Sequence, residues 1–322
     1  MLCAACGETS LGEPCGHCGQ DPLLKGRYRL DRVLGRGSTG VTYAGTRLVD
    51  GATFALKEIR PAAGAKTEAL ARREIETLSR LSHPQLPAYI DSFSDGLGKG
   101  QTRWLVQALV DGRTLHDELL GRAFTESEVV AVVEGLLPVL AYLHGQDPPV
   151  IHRDVKPRNV VRGVDGKLWL LDLGSARAAA VSADFGGSTV AGTFGYMAPE
   201  QFRGDATPAT DVYGLGALAL HLLARREPAQ LADASGRLQW QRAVSPSSSL
   251  RRVLGGMLEP DPALRLRDTA AVRAALGEPA AAPGEQLAAV ESSEAAERRA
   301  WWLVAAAFLG VIVLVFLVAV YR

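Results

Sequence analysis

Cysteine is almost absent from this chain: four residues in 322, none of them beyond position 18. That excludes a disulfide framework for the bulk of the molecule, whose core must come from buried apolar side chains. Neither sign of charge is in excess. Lys+Arg and Asp+Glu both number 35, so there is no polyanion-binding footprint and no nucleic-acid partner is expected. The opening residues MLCAACGETS lack the basic start and apolar stretch of an export signal. Aromatic residues are scarce at 6%, yet hydrophobic residues reach 47% against 22% charged. Such a balance supports a real core and argues against global disorder. The length exceeds one average domain, so one large or two moderate domains with appendages are expected. No internal repeat is evident.

The cysteines that are present are paired. Cys3 and Cys6 form one C-x-x-C and Cys15 and Cys18 another, each followed by glycine, in CAACG and CGHCG. Two thiolates at this spacing can grip one tetrahedral metal, and the trailing glycine lets backbone N–H groups turn toward sulfur. The competing reading, two disulfides, requires export, for which there is no signal. Residues 1–22 resemble a short zinc ribbon, with zinc ahead of iron, although the spacer between the pairs is short. His17 is read as a bystander.

At the other end, AWWLVAAAFLGVIVLVFLVAV, 300–320, carries no charge and is long enough to cross a bilayer as one helix. A buried soluble helix would carry a polar face, and this stretch has none. Trp301 and Trp302 sit where an interfacial belt would be, and Arg298 and Arg299 precede the span. The positive-inside tendency puts the N-terminal portion in the cytoplasm. With only Tyr321 and Arg322 after the span, no extracellular sensor is expected. Residues 277–299, rich in Ala, Glu, Pro and Ser, read as a juxtamembrane linker. A globular unit over 26–276 remains.

That unit opens with LGRGSTGVTYAG, in which Gly35, Gly37 and Gly40 have the spacing G-x-G-x-x-G. A dinucleotide site would place a helix next. Instead Val41 and Tyr43, then Phe54, Leu56 and Ile59, alternate as strands around an Asp50-Gly51 turn. The glycines therefore join two antiparallel strands. No Gly-Lys-Ser/Thr follows, which excludes a P-loop.

Lys57 stands on the strand after this hairpin, in FALKEI, an arrangement that resembles a protein kinase and implies a carboxylate partner; LARREIETLSRLSHPQLP offers Glu74 for that place, with Glu76 the rival. Further on come VIHRDVKPRNVV, LWLLDLGSAR and GTFGYMAPE, with a hairpin at Asp165-Gly166 between the first two. Taken in this order, the motifs resemble the eukaryotic-like Ser/Thr protein kinases of bacteria, over about 28–276. The fold class implied is α+β: a bilobal protein-kinase fold with a small β-rich lobe and a large helical lobe, plus the ribbon and the single C-terminal span.

The resemblance implies roles. Asp154 accepts or orients the proton of the substrate hydroxyl, and Lys156 sets positive charge near the γ-phosphate of ATP. Asn159 and Asp172 offer hard oxygens to Mg2+ or Mn2+, while Gly35, Gly37 and Gly40 close over phosphates that Lys57 also contacts. Lysine two places after Asp154 is the Ser/Thr form of the loop. Arg153 resembles the arginine that pairs with a phosphorylated activation segment. Ser188 and Thr189 are the preferred autophosphorylation candidates, Ser182 lies in the same segment, and Thr193, also a candidate, has the position that contacts Asp154 and Lys156. Asp211 is expected to brace the catalytic-loop backbone, and Glu200 to pair with Arg265. Partners implied are protein substrates with Ser or Thr, the lipid bilayer, and a second copy for autophosphorylation in trans; the location is a bacterial cell membrane.

The segment departs from the family at Gln107 and Ala108, where a bulky residue and Glu are common, and at Leu173, where Phe is usual. Two rivals stand beside this reading. A nucleotide-binding scaffold without transfer is opposed by intact Lys57, Asp154, Asn159 and Asp172. A small-molecule phosphotransferase is opposed by GTFGYMAPE, which serves to dock an extended polypeptide.

Overall fold

In the computed structural model the described residues are 1–37, 40–59, 75–95, 102–173, 177–178, 193–234 and 236–277. Glu74, Ser182, Ser188, Thr189, the linker from 278 and the apolar stretch 300–320 lie outside them. Met1–Pro246 with Leu250–Leu276 makes one unit; Ser247–Ser249 with Gly277–Arg322 makes a second.

Alternating apolar residues build the small lobe. Strands β1 (Tyr28–Gly37), β2 (Gly40–Arg47), β3 (Thr53–Ile59), β4 (Tyr89–Asp95) and β5 (Thr102–Ala108) form an antiparallel sheet in the order β1-β2-β3-β5-β4. Register places Tyr43 opposite Leu56 and Leu56 opposite Val106. All three are buried with Tyr28, Leu30, Val41, Phe54 and Trp104 in one cluster. Each such side chain contributes about 1.5–3 kcal/mol on burial. The β2–β3 connection turns at Asp50-Gly51 as expected: Gly51 has φ +70°, and Asp50 accepts from Ala52 N while holding Arg47.

Beyond β5 the chain becomes helical. Helix α1 spans Leu115–Gly121 and α2 Glu126–His144. Thr125 and Glu128 close a capping box at the start of α2, satisfying N–H groups that a helix leaves orphaned. Among the described residues α2 alone is long and apolar enough to cross a membrane, but eight of its residues are buried in the large-lobe core. Helix α3 (Pro208–Ala224) is buried along nearly its whole length, as its run of apolar and small residues demands. Helices α4 (Ser248–Met257) and α5 (Thr269–Gly277) follow.

Short strands carry the chemistry, one before α1 and the others between α2 and α3. Strands β6 (Gly112–Thr114), β8 (Val160–Gly163) and β9 (Leu168–Leu170) form one small sheet, and β7 (Val150–Ile151) pairs with β10 (Arg177–Ala178). The β8–β9 hairpin turns at Asp165-Gly166, where Gly166 has φ +80°. This hairpin holds the Asn159 end of the catalytic segment beside Asp172: Leu171 N donates to Asn159 O at 2.7 Å.

Candidate active site

The site grows from a loop that cannot fold on local preferences alone. Between β7 and β8, His152, Arg153 and Asp154 are buried, and Arg153 has φ +67°, a costly value for a residue with a Cβ. Asp211 on α3 compensates. Its Oδ2 accepts from His152 N and its Oδ1 from Arg153 N, each at 2.8 Å. His144 Nε2, at the end of α2, lies 2.8 Å from Asp211 Oδ2. Burial works to raise the Asp211 pKa, but the His144 contact and the loop amides outweigh it and hold the carboxyl below its ordinary range. The expected brace is thus present. Gln201 completes it from the other side, donating to Arg153 O at 3.0 Å.

His152 is structural, as its burial requires. Nε2 lies 3.0 Å from Leu171 O and Nδ1 accepts from Asp154 N at 3.3 Å. Those partners set a neutral ring with the proton on Nε2. It ties the loop to the strand end that carries Asp172.

Asp154 is the hub. Asn159 Nδ2 donates to its backbone O at 2.8 Å and to Oδ2 at 2.9 Å. Lys156 Nζ sits 2.7 Å from Oδ2, and Thr193 Oγ1 donates to Oδ1 at 2.9 Å. Lys156 Nζ also donates to Thr193 Oγ1 at 2.5 Å. Asp154, Lys156, Asn159 and Thr193 are therefore joined in one network, in which Thr193 touches the two residues that its position implied. With both amide hydrogens spent on Asp154, Asn159 retains its Oδ1 for a cation. Asp172, at φ +59°, offers a partly exposed carboxylate. Two hard oxygen donors on adjoining segments fit Mg2+.

Lys57 reaches this group from the small lobe. It stands on β3 between Thr42 of β2 and Leu105 of β5, its side chain mostly buried, and its Nζ is hydrogen-bonded to Asp172 Oδ1. Its described carboxylate partner is thus Asp172, whereas the expected Glu74 lies outside the described residues. Gly40 approaches the next strand so closely that a Cβ there would stand 1.8 Å from Glu58 O; at Gly35 a Cβ would meet nothing within 4 Å. The glycines thus differ in purpose: Gly40 seats β2 against the Lys57 strand, and Gly35 leaves the face above it open. Gly37 ends β1, and Ser38 and Thr39 lie outside the described residues.

Below the loop, Glu200 and Arg265 form the expected buried pair at 2.6 and 3.0 Å. Thr210 Oγ1 donates to Glu200, and Arg265 also donates to the carbonyls of Ala209, Glu259 and Pro260. Burial would raise the Glu200 pKa, but Arg265 holds it below the usual carboxylate value. Tyr196 is hydrogen-bonded to His221 Nδ1 and to Glu227 Oε2. Reasoning from motifs did not find His144, Gln201, Thr210, His221 or Glu227. Of these, Gln201, next to MAPE, and Thr210, next to Asp211, stood beside a signal.

At the N-terminus the two C-x-x-C pairs converge. All four Sγ atoms lie within 4.8 Å of one another; Cys3–Cys18 is 3.7 Å and Cys6–Cys15 3.9 Å. Each pair is wrapped by its own turn, with Gly7 N donating to Cys3 O and Gly19 N to Cys15 O. Backbone N–H groups of Cys18 and His17 lower the Cys15 thiol to about 6. His17 is exposed and not part of the cluster.

A family model described as "Protein kinase domain" matches residues 28–276. Serine/threonine-protein kinase B of Synechocystis sp. (strain ATCC 27184 / PCC 6803 / Kazusa) is 33% identical over 265 residues, 76% of this chain and 45% of that protein. Serine/threonine-protein kinase F of the same organism is 32% identical over 284 residues, 81% of this chain and 57% of that one. Serine/threonine-protein kinase PknL of Mycobacterium tuberculosis (strain ATCC 25618 / H37Rv) is 33% identical over 213 residues, 65% and 52% of the two chains. The chain spans about half the length of these relatives.

Proposed function

Because this chain belongs to the protein kinase domain family, we propose that it transfers the γ-phosphoryl group of ATP to Ser and Thr hydroxyls of proteins, from the cytoplasmic face of a bacterial membrane. The observation that carries the reading is the hydrogen bond from Thr193 Oγ1 to Asp154 Oδ1, with Lys156 Nζ donating to Thr193 Oγ1. A side-chain hydroxyl is held there as an acceptor hydroxyl would need to be. Its proton points to a carboxylate, and its oxygen is aligned by an ammonium that also places charge near the transferring group. Asn159 fixes the Asp154 carboxylate through Oδ2, leaving Oδ1 to take the proton. Lys57 and Asp172 face the phosphate side, with Asn159 Oδ1 and Asp172 as the donors suited to Mg2+ or Mn2+. A bound divalent cation would neutralise phosphate charge at this edge.

The relatives' printed names support Ser/Thr as the acceptor class. Autophosphorylation at Ser188 or Thr189, in trans within a pair of copies, belongs to the same reading, with Arg153 as the receiving cation. The uncharged 300–320 stretch is the proposed anchor. The four-thiol cluster is proposed to hold Zn2+: a tetrahedron with Zn–S of about 2.3 Å has edges of about 3.8 Å, and the two Sγ–Sγ separations of 3.7 and 3.9 Å fit it.

The test is label transfer from γ-labelled ATP with Mg2+, using the full chain from the membrane fraction beside Asp154→Ala. Label on Ser or Thr that disappears in the variant is expected. Nucleotide binding without transfer in the parent chain would favour a scaffold and overturn the reading.

A further inference from the structure

The cysteine module is not an appendage in space. Strand β1 is the last strand of the small-lobe sheet, so its outer edge would otherwise be open. Leu2 occupies that edge: it bridges Leu30 in antiparallel fashion and donates its N–H to Leu30 O at 2.8 Å. Leu2 also bridges Thr9 within the module, and Ala4 N donates to Pro22 O at 2.9 Å. The side chains of Leu2 and Ala4 pack against the cluster that holds Leu24, Tyr28, Leu30 and Val41.

The position of this bridge matters because the β1–β2 ladder is irregular. Its register slips between Leu30 and Arg32 and again between Val33 and Gly35. Each slip removes pairing that would otherwise lock β1 onto β2. Leu2 therefore grips β1 at the residue where the first slip begins. From Leu30 to Gly35 the strand runs about 17 Å at some 3.3 Å per residue, and at its far end it becomes the glycine loop. Leu30, Gly35 and Gly37 lie on one continuous strand.

The module cannot hold this seat by its own core. Its buried residues before Leu24 are Cys3, Ser10, Cys15 and Pro22. Segments this short fold only with a staple such as a metal, and the binding free energy is then the folding free energy. Resting on the Zn2+ reading above, we propose that metal occupancy of Cys3, Cys6, Cys15 and Cys18 sets the affinity of the kinase site for ATP. The metal orders residues 1–22, the ordered Leu2 clamps β1 at Leu30, and β1 positions the glycine loop over the phosphates. Loss of metal frees β1 at its weakest point.

The test uses the full chain, loaded with Zn2+ or stripped by a zinc-selective chelator in the presence of Mg2+. Metal content, ATP dissociation constant and melting midpoint are measured on each, together with a Leu2→Asp variant that keeps all four cysteines. One bound Zn2+ per chain, an ATP dissociation constant raised about five- to tenfold on stripping, and a lowered midpoint are expected, as for loss of one clamping contact. Leu2→Asp should reproduce the weaker ATP binding with its metal retained. Stoichiometric Zn2+ whose removal leaves ATP binding unchanged would overturn the coupling and leave the metal site standing. Absence of bound metal would overturn both.

Discussion

Thr193 joins the two charged side chains at the centre of the site. Its hydroxyl spends its hydrogen on Asp154 and its oxygen on Lys156. Hydrogen bonds to charged groups are worth about 1.5–3 kcal/mol each. Thr193→Val keeps the shape and removes both bonds. Peptide kcat/KM is expected to fall about 10- to 100-fold, while the ATP dissociation constant stays unchanged. A variant with full peptide activity would show that Asp154 and Lys156 align without it. His152 teaches the opposite lesson at the same scale: a histidine beside a catalytic aspartate, yet wholly buried and spent on Leu171 O and Asp154 N.

Strands and helices hold these residues by a few close approaches. Gly40 is the sharpest, because its φ of +150° and the Glu58 carbonyl both refuse a Cβ. Gly40→Ala must push β2 away from β3 beside Lys57, at a cost of about 1–3 kcal/mol. A lowered melting midpoint and weaker ATP binding are expected together. Gly35→Ala, with nothing within 4 Å of the new methyl, should leave the midpoint in place; equal losses in both would remove the distinction between a packing glycine and a ligand-facing one. Helix α3 plays the corresponding part in the large lobe. A single side chain from it, Asp211, receives two consecutive loop amides and lets Arg153 keep its unfavourable φ.

For the molecule as a whole, buried carboxylates predict the response to acid. Glu200 and Asp211 are both held below their ordinary range when folded. Each therefore contributes stability that is fully present above the unfolded carboxylate pKa and is lost as pH falls through the folded one. The melting midpoint should drop as pH is lowered from about 5 toward 3. Arg265→Met leaves Glu200 buried without its partner, and breaking such a pair costs about 3–5 kcal/mol. That variant should melt far lower at pH 7 and show a shallower fall in acid, since its Glu200 no longer has a depressed pKa to lose. An acid profile parallel to the parent's would place the pH dependence elsewhere.

The Asp211 brace and the Glu200–Arg265 pair were expected only from the family resemblance, whereas residue types and short spacings were enough to identify the kinase motifs, the two hairpin turns and the paired thiols. These depend on chemistry that a few neighbouring residues carry with them: a glycine pair fits a turn, and C-x-x-C fits one metal, wherever the segment folds. Who meets whom across the chain was decided by packing. His144 reaches Asp211 over 67 positions, Gln201 reaches Arg153 over 48, and Lys57 meets Asp172 over 115. No periodicity encodes such pairs, because they exist only once α2, α3 and the small-lobe sheet are seated. The seat of Leu2 on Leu30 is of the same kind. An apolar residue beside a cysteine says nothing of a sheet edge until β1 lies at the end of its sheet with that edge to fill.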